Sequence, residues 1–259
     1  TVNKAIATIN IGNISQTYNG SPRPVTITTN PAGLNVNVTY NGSGAVPVNA
    51  GSYNVAVSID EDNYSGSSTA TLVVSKASPV VSTWPIASAI TYGQALSAST
   101  LSGGSANTEG SFSFTNPSYV PGAGNYSASV KFTPSDLQNY TTVSSNVTVV
   151  VHKANATITI TNITQVYNGL AHNVTVTTSP SGLSFLVTYN GSSVSPVNAG
   201  TYNVVVTISD DNYQGTANAI LTIQKANPIV STWPTASDIT YGQTLSVSVL
   251  SGGSANIGG

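Results

Sequence analysis

Apolar and polar residues alternate along much of the chain, and this alternation predicts β-strands. Between residues 53 and 59 every second position is apolar, and the same order returns between residues 202 and 208. A period of two places these side chains on one face of a strand, and no segment keeps a helical period over a useful length. The other predicted strands are 5–11, 25–29, 36–40, 67–74, 95–101, 111–114, 126–132 and 143–151.

The chain also repeats itself, because residues 1–110 align with residues 150–259 without a gap. A recurring Lys-Ala pair, which usually follows an apolar run, predicts the joints between successive modules. The pairs are Lys4-Ala5, Lys76-Ala77, Lys153-Ala154 and Lys225-Ala226. The sequence thus predicts four modules in the order A–B–A–B: A1 at 1–76, B1 at 77–152, A2 at 153–225 and a partial B2 at 226–259, which lacks a counterpart of 111–149.

Turn signals such as Asn41-Gly42 separate the predicted strands, and many short strands with frequent turns indicate a β-sandwich. A Gly-x-Tyr motif opens three of the alternating strands. It resembles the tyrosine corner of immunoglobulin-like domains, in which the Tyr hydroxyl bonds to the backbone just upstream. The tyrosines are Tyr53, Tyr126 and Tyr202. The predicted fold is therefore an all-β tandem array of immunoglobulin-like β-sandwich modules. Because the chain has no Cys, these modules must be held together by apolar packing alone.

Longer motifs carry a resemblance to known families. The A modules share Val-Thr-Tyr-Asn-Gly, Pro-Val-Asn-Ala-Gly-x-Tyr-Asn-Val and Asp-Asn-Tyr-x-Gly, at 38–42, 47–55 and 62–66 in the first copy. These motifs resemble the MBG-type repeats of bacterial surface and secreted proteins. The B modules share Ile-Thr-Tyr-Gly-Gln, at 90–94 and 239–243, and resemble bacterial Ig-like (Big-type) repeats. The resemblance implies an extracellular stalk, adhesin or surface-layer role, with no catalytic residues and no cofactors.

The composition supports a location outside the cell. Only 5% of residues are charged, against about 25% in typical proteins, and the net charge is -2. The few Lys and Arg residues are isolated, so no basic stripe is present to neutralise phosphates, and no nucleic-acid partner is expected. No apolar run reaches about 18 residues, so we expect no membrane span in this fragment. The lack of both Cys and Met fits a secreted or cell-surface protein of a prokaryote that does not depend on disulfides.

The acidic residues form one cluster that could suggest a metal. Asp60-Glu61-Asp62 is matched by Asp210-Asp211 in the second copy, and clustered oxygen ligands in a loop suit calcium. The counterpart of Asp60 is Ser209, however, and no Asp-x-Asp-x-Asp-Gly loop is present. We therefore interpret the cluster as a solvated turn and predict no metal site.

No candidate catalytic residue recurs in both copies of the repeat. The two histidines, His152 and His172, correspond to Asn3 and Arg23 in the first copy. No Gly-x-Ser-x-Gly nucleophile elbow occurs, and the eight acids, mostly in turns, offer no convincing carboxylate pair. We predict that the chain is not an enzyme.

Two further groups of residues have open interpretations. Trp84 and Trp233, near the start of each B module, either pack at the A–B junction or stack on a glycan. Asn-x-Ser/Thr sequons recur at matching positions in both copies, and glycosylation of these surface loops is a hypothesis. The recurring residues are Asn13, Asn41, Asn162 and Asn190.

Three functions remain open from the sequence. The first is the stalk of a surface adhesin. The second is a self-associating subunit of an extracellular filament, sheath or surface layer. The third is a carbohydrate-binding module. The expected partners are neighbouring copies of itself, other surface proteins, and glycans in the third case. No Gly/Pro/Ser-rich linker separates the modules, so a semi-rigid array is expected.

Overall fold

The computed structural model describes residues 2–256, which form β-strands and two short 3-10 turns. The prediction of an all-β chain is confirmed. The chain separates into two compact units, Thr1–His152 and Lys153–Gly259. Among the described residues, no helix has the length and apolar character needed to cross a membrane.

The A1 part of unit 1 is a sandwich of a four-stranded and a two-stranded sheet. Its strands are β1 (Ala5–Ile6), β2 (Thr8–Gly12), β3 (Ser15–Thr17), β4 (Thr26–Asn30), β5 (Val36–Tyr40), β6 (Gly51–Ile59), β7 (Tyr64–Ser65) and β8 (Ser67–Ser75). The larger sheet has the order β3-β8-β6-β5, in which β3 runs parallel to β8, and β2 pairs with β4 in the smaller sheet. The short β1 runs parallel to β7.

The apolar face of these strands forms the core of A1. Val55, Leu72 and Val74 of the large sheet are buried, and Ile9 and Ile27 of the small sheet pack against them. Burying one Val or Leu side chain contributes about 1.5–3 kcal/mol, so a few such layers hold the two sheets together without a disulfide.

The B1 part of unit 1 also has a four-stranded sheet, covered by shorter pairs of strands. Its strands are β9 (Val81–Thr83), β10 (Ile86–Ala87), β11 (Ile90–Thr91), β12 (Leu101–Ser102), β13 (Ser105–Ala106), β14 (Gly110–Phe114), β15 (Gly124–Pro134) and β16 (Val143–His152). The large sheet has the order β11-β16-β15-β14, while β9 pairs with β13 and β10 with β12. Ile90, Phe114, Val130 and Val149 are buried together in its core.

The strand predicted at 95–101 is wrong. Leu96–Ala98 forms a 3-10 turn, and only Leu101–Ser102 is a strand. Leu96 is buried, whereas the Ser99 hydroxyl donates to the Ser88 carbonyl at 2.6 Å. Serine side chains that bond to nearby backbone in this way compete with a sheet ladder, and the alternating pattern does not register that competition.

The A2 part of unit 2 repeats the sandwich of A1. Its strands are β17 (Ala154–Asn155), β18 (Thr157–Thr161), β19 (Thr164–Val166), β20 (Thr175–Ser179), β21 (Phe185–Tyr189), β22 (Gly200–Ile208), β23 (Tyr213–Gln214) and β24 (Thr216–Gln224). The large sheet has the order β19-β24-β22-β21, and β18 pairs with β20. Val204, Val206, Leu221 and Ile223 are buried in its core.

The remaining residues of unit 2 form two small strand pairs. Strand β25 (Val230–Thr232) pairs with β28 (Ser254–Ala255), and β26 (Thr235–Ala236) pairs with β27 (Leu250–Ser251), around a 3-10 turn at Leu245–Val247. Leu245 is 82% exposed, whereas its counterpart Leu96 is 2% exposed. Leu96 is buried in the B1 core with Val130 of β15 and Val149 of β16.

Candidate functional site

The first three Lys-Ala pairs, which the sequence marks as joints, bind a turn of the module that follows them. In B1 the Ala77 N–H donates to the Asn139 carbonyl at 2.8 Å, and the Thr141 N–H donates to the Ala77 carbonyl at 2.9 Å. The Lys76 ammonium donates to the Leu137 carbonyl. The Lys76-Ala77 pair therefore ties the start of B1 to a turn, which we call the Asn-Tyr turn and define in B1 as residues 136–140.

The same arrangement recurs in the A modules. In A1 the Lys4 ammonium donates to the Glu61 carbonyl at 2.6 Å, and the Ala5 N–H donates to the Asn63 carbonyl at 2.9 Å. In A2 the Lys153 ammonium donates to the Asp210 carbonyl at 2.6 Å. The Ala154 N–H likewise donates to the Asn212 carbonyl at 2.9 Å.

Asp136 gives the turn of B1 its shape. Its carboxylate accepts the backbone N–H groups of Gln138 and Asn139, each at 3.1 Å, and the Asn139 side-chain amide at 2.8 Å. These donors favour the charged carboxylate. The pKa of Asp136 therefore lies below its ordinary value, first because of the Asn139 side-chain hydrogen bond, then because of the two backbone donors and the charge of Lys76.

The Asn139 side chain connects the turn to A1. It is only 5% exposed, and its carbonyl oxygen accepts the Ala50 N–H at 2.7 Å. Its amide nitrogen donates to the Asn49 side-chain oxygen at 3.2 Å as well as to Asp136. An asparagine amide has both acceptor and donor groups, so one side chain bonds both modules.

A tyrosine corner fixes Asn49 in position. The Tyr53 hydroxyl donates to the Asn49 carbonyl at 2.8 Å, which is the bond that the Gly-x-Tyr motif predicts. A Cβ at Gly51 would lie 3.3 Å from that hydroxyl, a tight contact that glycine avoids. The A2 corner is equivalent, because the Tyr202 hydroxyl donates to the Asn198 carbonyl at 2.9 Å.

Two tyrosine rings complete the junction of A1 with B1. Tyr18 of A1 and Tyr140 of B1 meet edge to face, with ring centroids 5.4 Å apart and planes at 81°. Such pairs contribute about 0.5–1.5 kcal/mol beyond the area they bury. The ring of Tyr126, the third predicted corner tyrosine, stacks on Tyr119 with the ring centroids 5.1 Å apart.

The two tryptophans lie in different surroundings. Trp84 packs edge to face on Phe112 at 5.6 Å and contacts the B1 core, so it lies inside its own module rather than at the predicted junction. Half-buried in this way, its ring is not an open platform for a sugar. Trp233, its counterpart in B2, is 75% exposed.

The four recurring sequon asparagines share a backbone conformation. Asn13, Asn41, Asn162 and Asn190 have φ values of 56°, 49°, 58° and 49°. Asparagine tolerates this left-handed region better than other residues with a side chain, which explains the recurrence without a glycan. Their side chains also bond to the backbone: for example, the Asn41 oxygen accepts the Asn54 N–H at 2.8 Å. Glycosylation of these exposed residues stays a prediction.

The acidic cluster has structural bonds. A Glu61 side-chain oxygen accepts the backbone and side-chain N–H groups of Asn35, each at 2.8 Å. Asp210 accepts the backbone N–H groups of Asn212 and Tyr213 at 2.8 and 3.0 Å. Across residues 2–256, no three His, Asp or Glu side chains gather as metal ligands would.

The histidines lie apart. His152 is the exposed last residue of β16. His172 is buried in A2, and its Nδ1 pairs with a Gln165 side-chain oxygen at 2.7 Å. Gln165 also donates to the carbonyls of Asn162 and Asn173, both at 2.8 Å, so this group holds a loop of the sandwich.

Sequence reasoning identified the Lys-Ala pairs and the corner tyrosines but missed Asn139 and Asn49. The two asparagines meet although they are far apart in the chain. One signal was present: Asn-Tyr follows each of the first three Lys-Ala pairs, at 63–64, 139–140 and 212–213, which is 59, 63 and 59 residues after the Lys.

Comparison with known proteins gives a family and several distant structures. A family model described as "MBG domain" matches residues 7–78 and 156–227. Drosophila N-cadherin EC1-4 is 13% identical, with 82% of this chain and 72% of that chain covered and a TM-score of 0.34. Sidekick-1 immunoglobulin domains 1-4 are 10% identical, with 85% of this chain and 76% of that chain covered and a TM-score of 0.34.

A third similar structure is that of the surface layer protein SbsC, domains 4-9. It is 11% identical, with 89% of this chain and 48% of that chain covered and a TM-score of 0.18. No curated protein matches the sequence significantly. At such identities and TM-scores, the similar structures imply nothing about what this chain binds.

Proposed function

The chain belongs to the MBG domain family, and on that premise we propose that it is a non-catalytic structural array outside the cell. In this proposal MBG-type A modules alternate with B modules of the bacterial Ig-like (Big-type) kind. The role that fits best is the stalk of a surface adhesin, which carries a binding head away from the cell surface.

The observation that carries this proposal is the direct junction of A1 with B1. Strand β8 ends at Ser75, and Ala77 already bonds to the Asn-Tyr turn of B1. Asn139 bonds back to Asn49 and Ala50, with its side chain almost fully buried. A stalk needs modules that resist bending at their joints, and a joint without linker residues supplies that resistance.

The conspicuous polar groups also support a structural role. Glu61, Asp136 and Asp210 all accept hydrogen bonds from nearby backbone N–H groups. Carboxylates with such bonds hold the shape of a turn. The proposal therefore assigns no catalytic residue and no cofactor to this chain.

One observation favours a second candidate, a self-associating subunit of an extracellular filament, sheath or surface layer. The A2 surface that corresponds to the A1 side of the junction is open, and its Tyr167 is 39% exposed. A self-associating subunit would seat a module of a neighbouring molecule on this surface. The carbohydrate-binding alternative loses its main residue, because Trp84 packs on Phe112.

Solution behaviour distinguishes a stalk from a filament. We expect the purified chain to remain monodisperse in light scattering over a wide range of concentration. Fibres in negative stain, or a mass that rises with concentration, would contradict the stalk and support the filament. For the location, protease treatment of intact cells should release the chain, and protection until the cells are lysed would contradict an extracellular role.

A further inference from the structure

The A2 module carries an open counterpart of the surface that B1 covers on A1. A cavity of about 670 Å³ lies there, at the end of A2 from which the chain continues into B2. The residues that line it include Tyr167, Asn198, Ala199, Lys225 and Ala226. All of them belong to unit 2.

Each of these five residues corresponds to one that contacts the Asn-Tyr turn in unit 1. The counterparts are Tyr18, Asn49, Ala50, Lys76 and Ala77. Tyr18 meets the Tyr140 ring, Asn49 and Ala50 bond to the Asn139 side chain, and Lys76 and Ala77 bond to turn carbonyls. The cavity therefore has the residues of the occupied site in the corresponding positions.

The surface is also built in the same way. The Tyr202 hydroxyl holds the Asn198 carbonyl at 2.9 Å, as Tyr53 holds Asn49 at 2.8 Å. The Tyr167 N–H donates to the Gln224 carbonyl at 2.9 Å, as the Tyr18 N–H donates to the Ser75 carbonyl at 2.9 Å. A preformed site costs little to organise when a partner binds.

Exposure distinguishes the two copies. Ala50 and Ala77 are partly covered in unit 1, whereas Ala199 and Ala226 are exposed. Tyr167 is 39% exposed, whereas Tyr18 is partly buried against the A1 core and Tyr140. Asn227, Pro228 and Asn256 of B2 also line the cavity.

We propose that this surface of A2 is a binding site for the Asp-x-x-Asn-Tyr turn of a B-type module, of which residues 136–140 are the example in this chain. The Asn amide of the turn bonds to the Ala199 N–H and the Asn198 side chain, and its Tyr ring meets Tyr167 edge to face. The Lys225 ammonium and the Ala226 N–H bond to the turn's carbonyls. This inference rests on the proposed function and names the partner through which the array is joined.

The test uses the full chain and a cyclised peptide of residues 134–142, which carries the turn. We expect the peptide to shift the amide NMR signals of Ala199 and Ala226. The Tyr167→Ala variant should weaken binding roughly tenfold, as loss of an interaction of about 1.4 kcal/mol would. The matched control is Leu170→Ala, which removes an exposed side chain outside the cavity and should leave binding unchanged.

A second peptide carries Ala in place of Asn139. Its affinity for the parent chain should also be at least roughly tenfold lower than that of the unchanged peptide. Equal binding of both peptides, or signal shifts confined to other surfaces, would overturn the proposal. Shifts at Tyr167 with a glycan library, but none with the peptide, would assign the surface to a sugar instead.

Disulfide trapping keeps the test decisive if the peptide binds weakly. Because the chain has no Cys, Tyr167→Cys and Leu170→Cys each present a single thiol to a peptide with Cys in place of Tyr140. We expect faster trapping at position 167, and equal rates at both positions contradict the proposal. The scattering test of the stalk is independent, so a failure of one does not imply a failure of the other.

Discussion

At the scale of single residues, Asn139 joins two modules with one amide group. Its oxygen accepts the Ala50 N–H, and its nitrogen donates to Asn49 and Asp136. A buried polar group that loses its partner costs about 1–3 kcal/mol, so the surrounding groups depend on this side chain. The Asn139 amide therefore satisfies groups of both modules at once.

We expect Asn139→Ala to loosen the joint between A1 and B1. The variant leaves the Ala50 N–H and the Asn49 side chain without their partner, so the two modules should sample a wider range of angles. Spin labels on Thr71→Cys and Ser127→Cys, one exposed position in each module, report the distance distribution. The distribution should be narrow in the parent and broad in Asn139→Ala. Gln138→Ala is the control, since only the backbone of Gln138 takes part in the turn's bonds to Asp136; unchanged widths in both variants would refute the assignment.

The corner tyrosines give a second prediction at this scale. Tyr53→Phe keeps the ring and removes only the hydroxyl bond to Asn49, so A1 should lose about 0.5–1.5 kcal/mol of unfolding free energy. The ring is only partly buried, and the effect should not exceed that of one hydrogen bond. Denaturant unfolding measures the change, and Tyr202→Phe should cause the same loss in A2.

At the scale of elements, the success of the sequence prediction depended on strand length. Residues 36–40 and 53–59 are strands because one apolar face is buried, and a one-sided face leaves a period of two in the sequence. Ser15–Thr17 and Tyr64–Ser65 are too short to show a period, and no strand was predicted there.

The Asn-Tyr turn shows why the junction escaped prediction. Its contacts use backbone groups and short polar side chains, and its partners on A1 lie far away in the chain. The Lys-Ala pairs were visible as repeats, but their bonds to a turn depend on tertiary structure. The local sequence pattern encodes the strands. The joint depends instead on tertiary structure, which brings a distant turn of B1 to the end of A1.

The turn also predicts a dependence on pH. Asp136 has a pKa below its ordinary value of 3.8, so its contribution to stability is fully present above that value. That contribution is lost as the pH falls through the lower pKa of the folded state. Amide signals of Asn139 and Tyr140 should stay constant above about pH 4 and shift below it. Asp136→Asn should remove this transition, and a transition that survives the substitution would assign it to another group.

At the scale of the molecule, A1 and A2 are sandwiches of the same design with separate cores. Leu72 is fully buried in the A1 cluster, and Leu221 takes the same place in the A2 cluster. Neither cluster contains a residue of the other. In a stalk this arrangement confines damage, because a module that opens under load leaves the core of a distant one intact.

Core substitutions test that independence. Leu72→Ala leaves a cavity in A1 and should lower its stability by about 2–5 kcal/mol, since buried leucines lose both transfer energy and packing. Hydrogen exchange should then speed up at amides of β6 and β8, while amides of β22 and β24 keep the parent rates. Leu221→Ala is the reciprocal variant, and it should reverse the pattern. If either substitution accelerated exchange equally in A1 and A2, the two modules would unfold as one cooperative body, and a stalk built from separately stable modules would have to be abandoned.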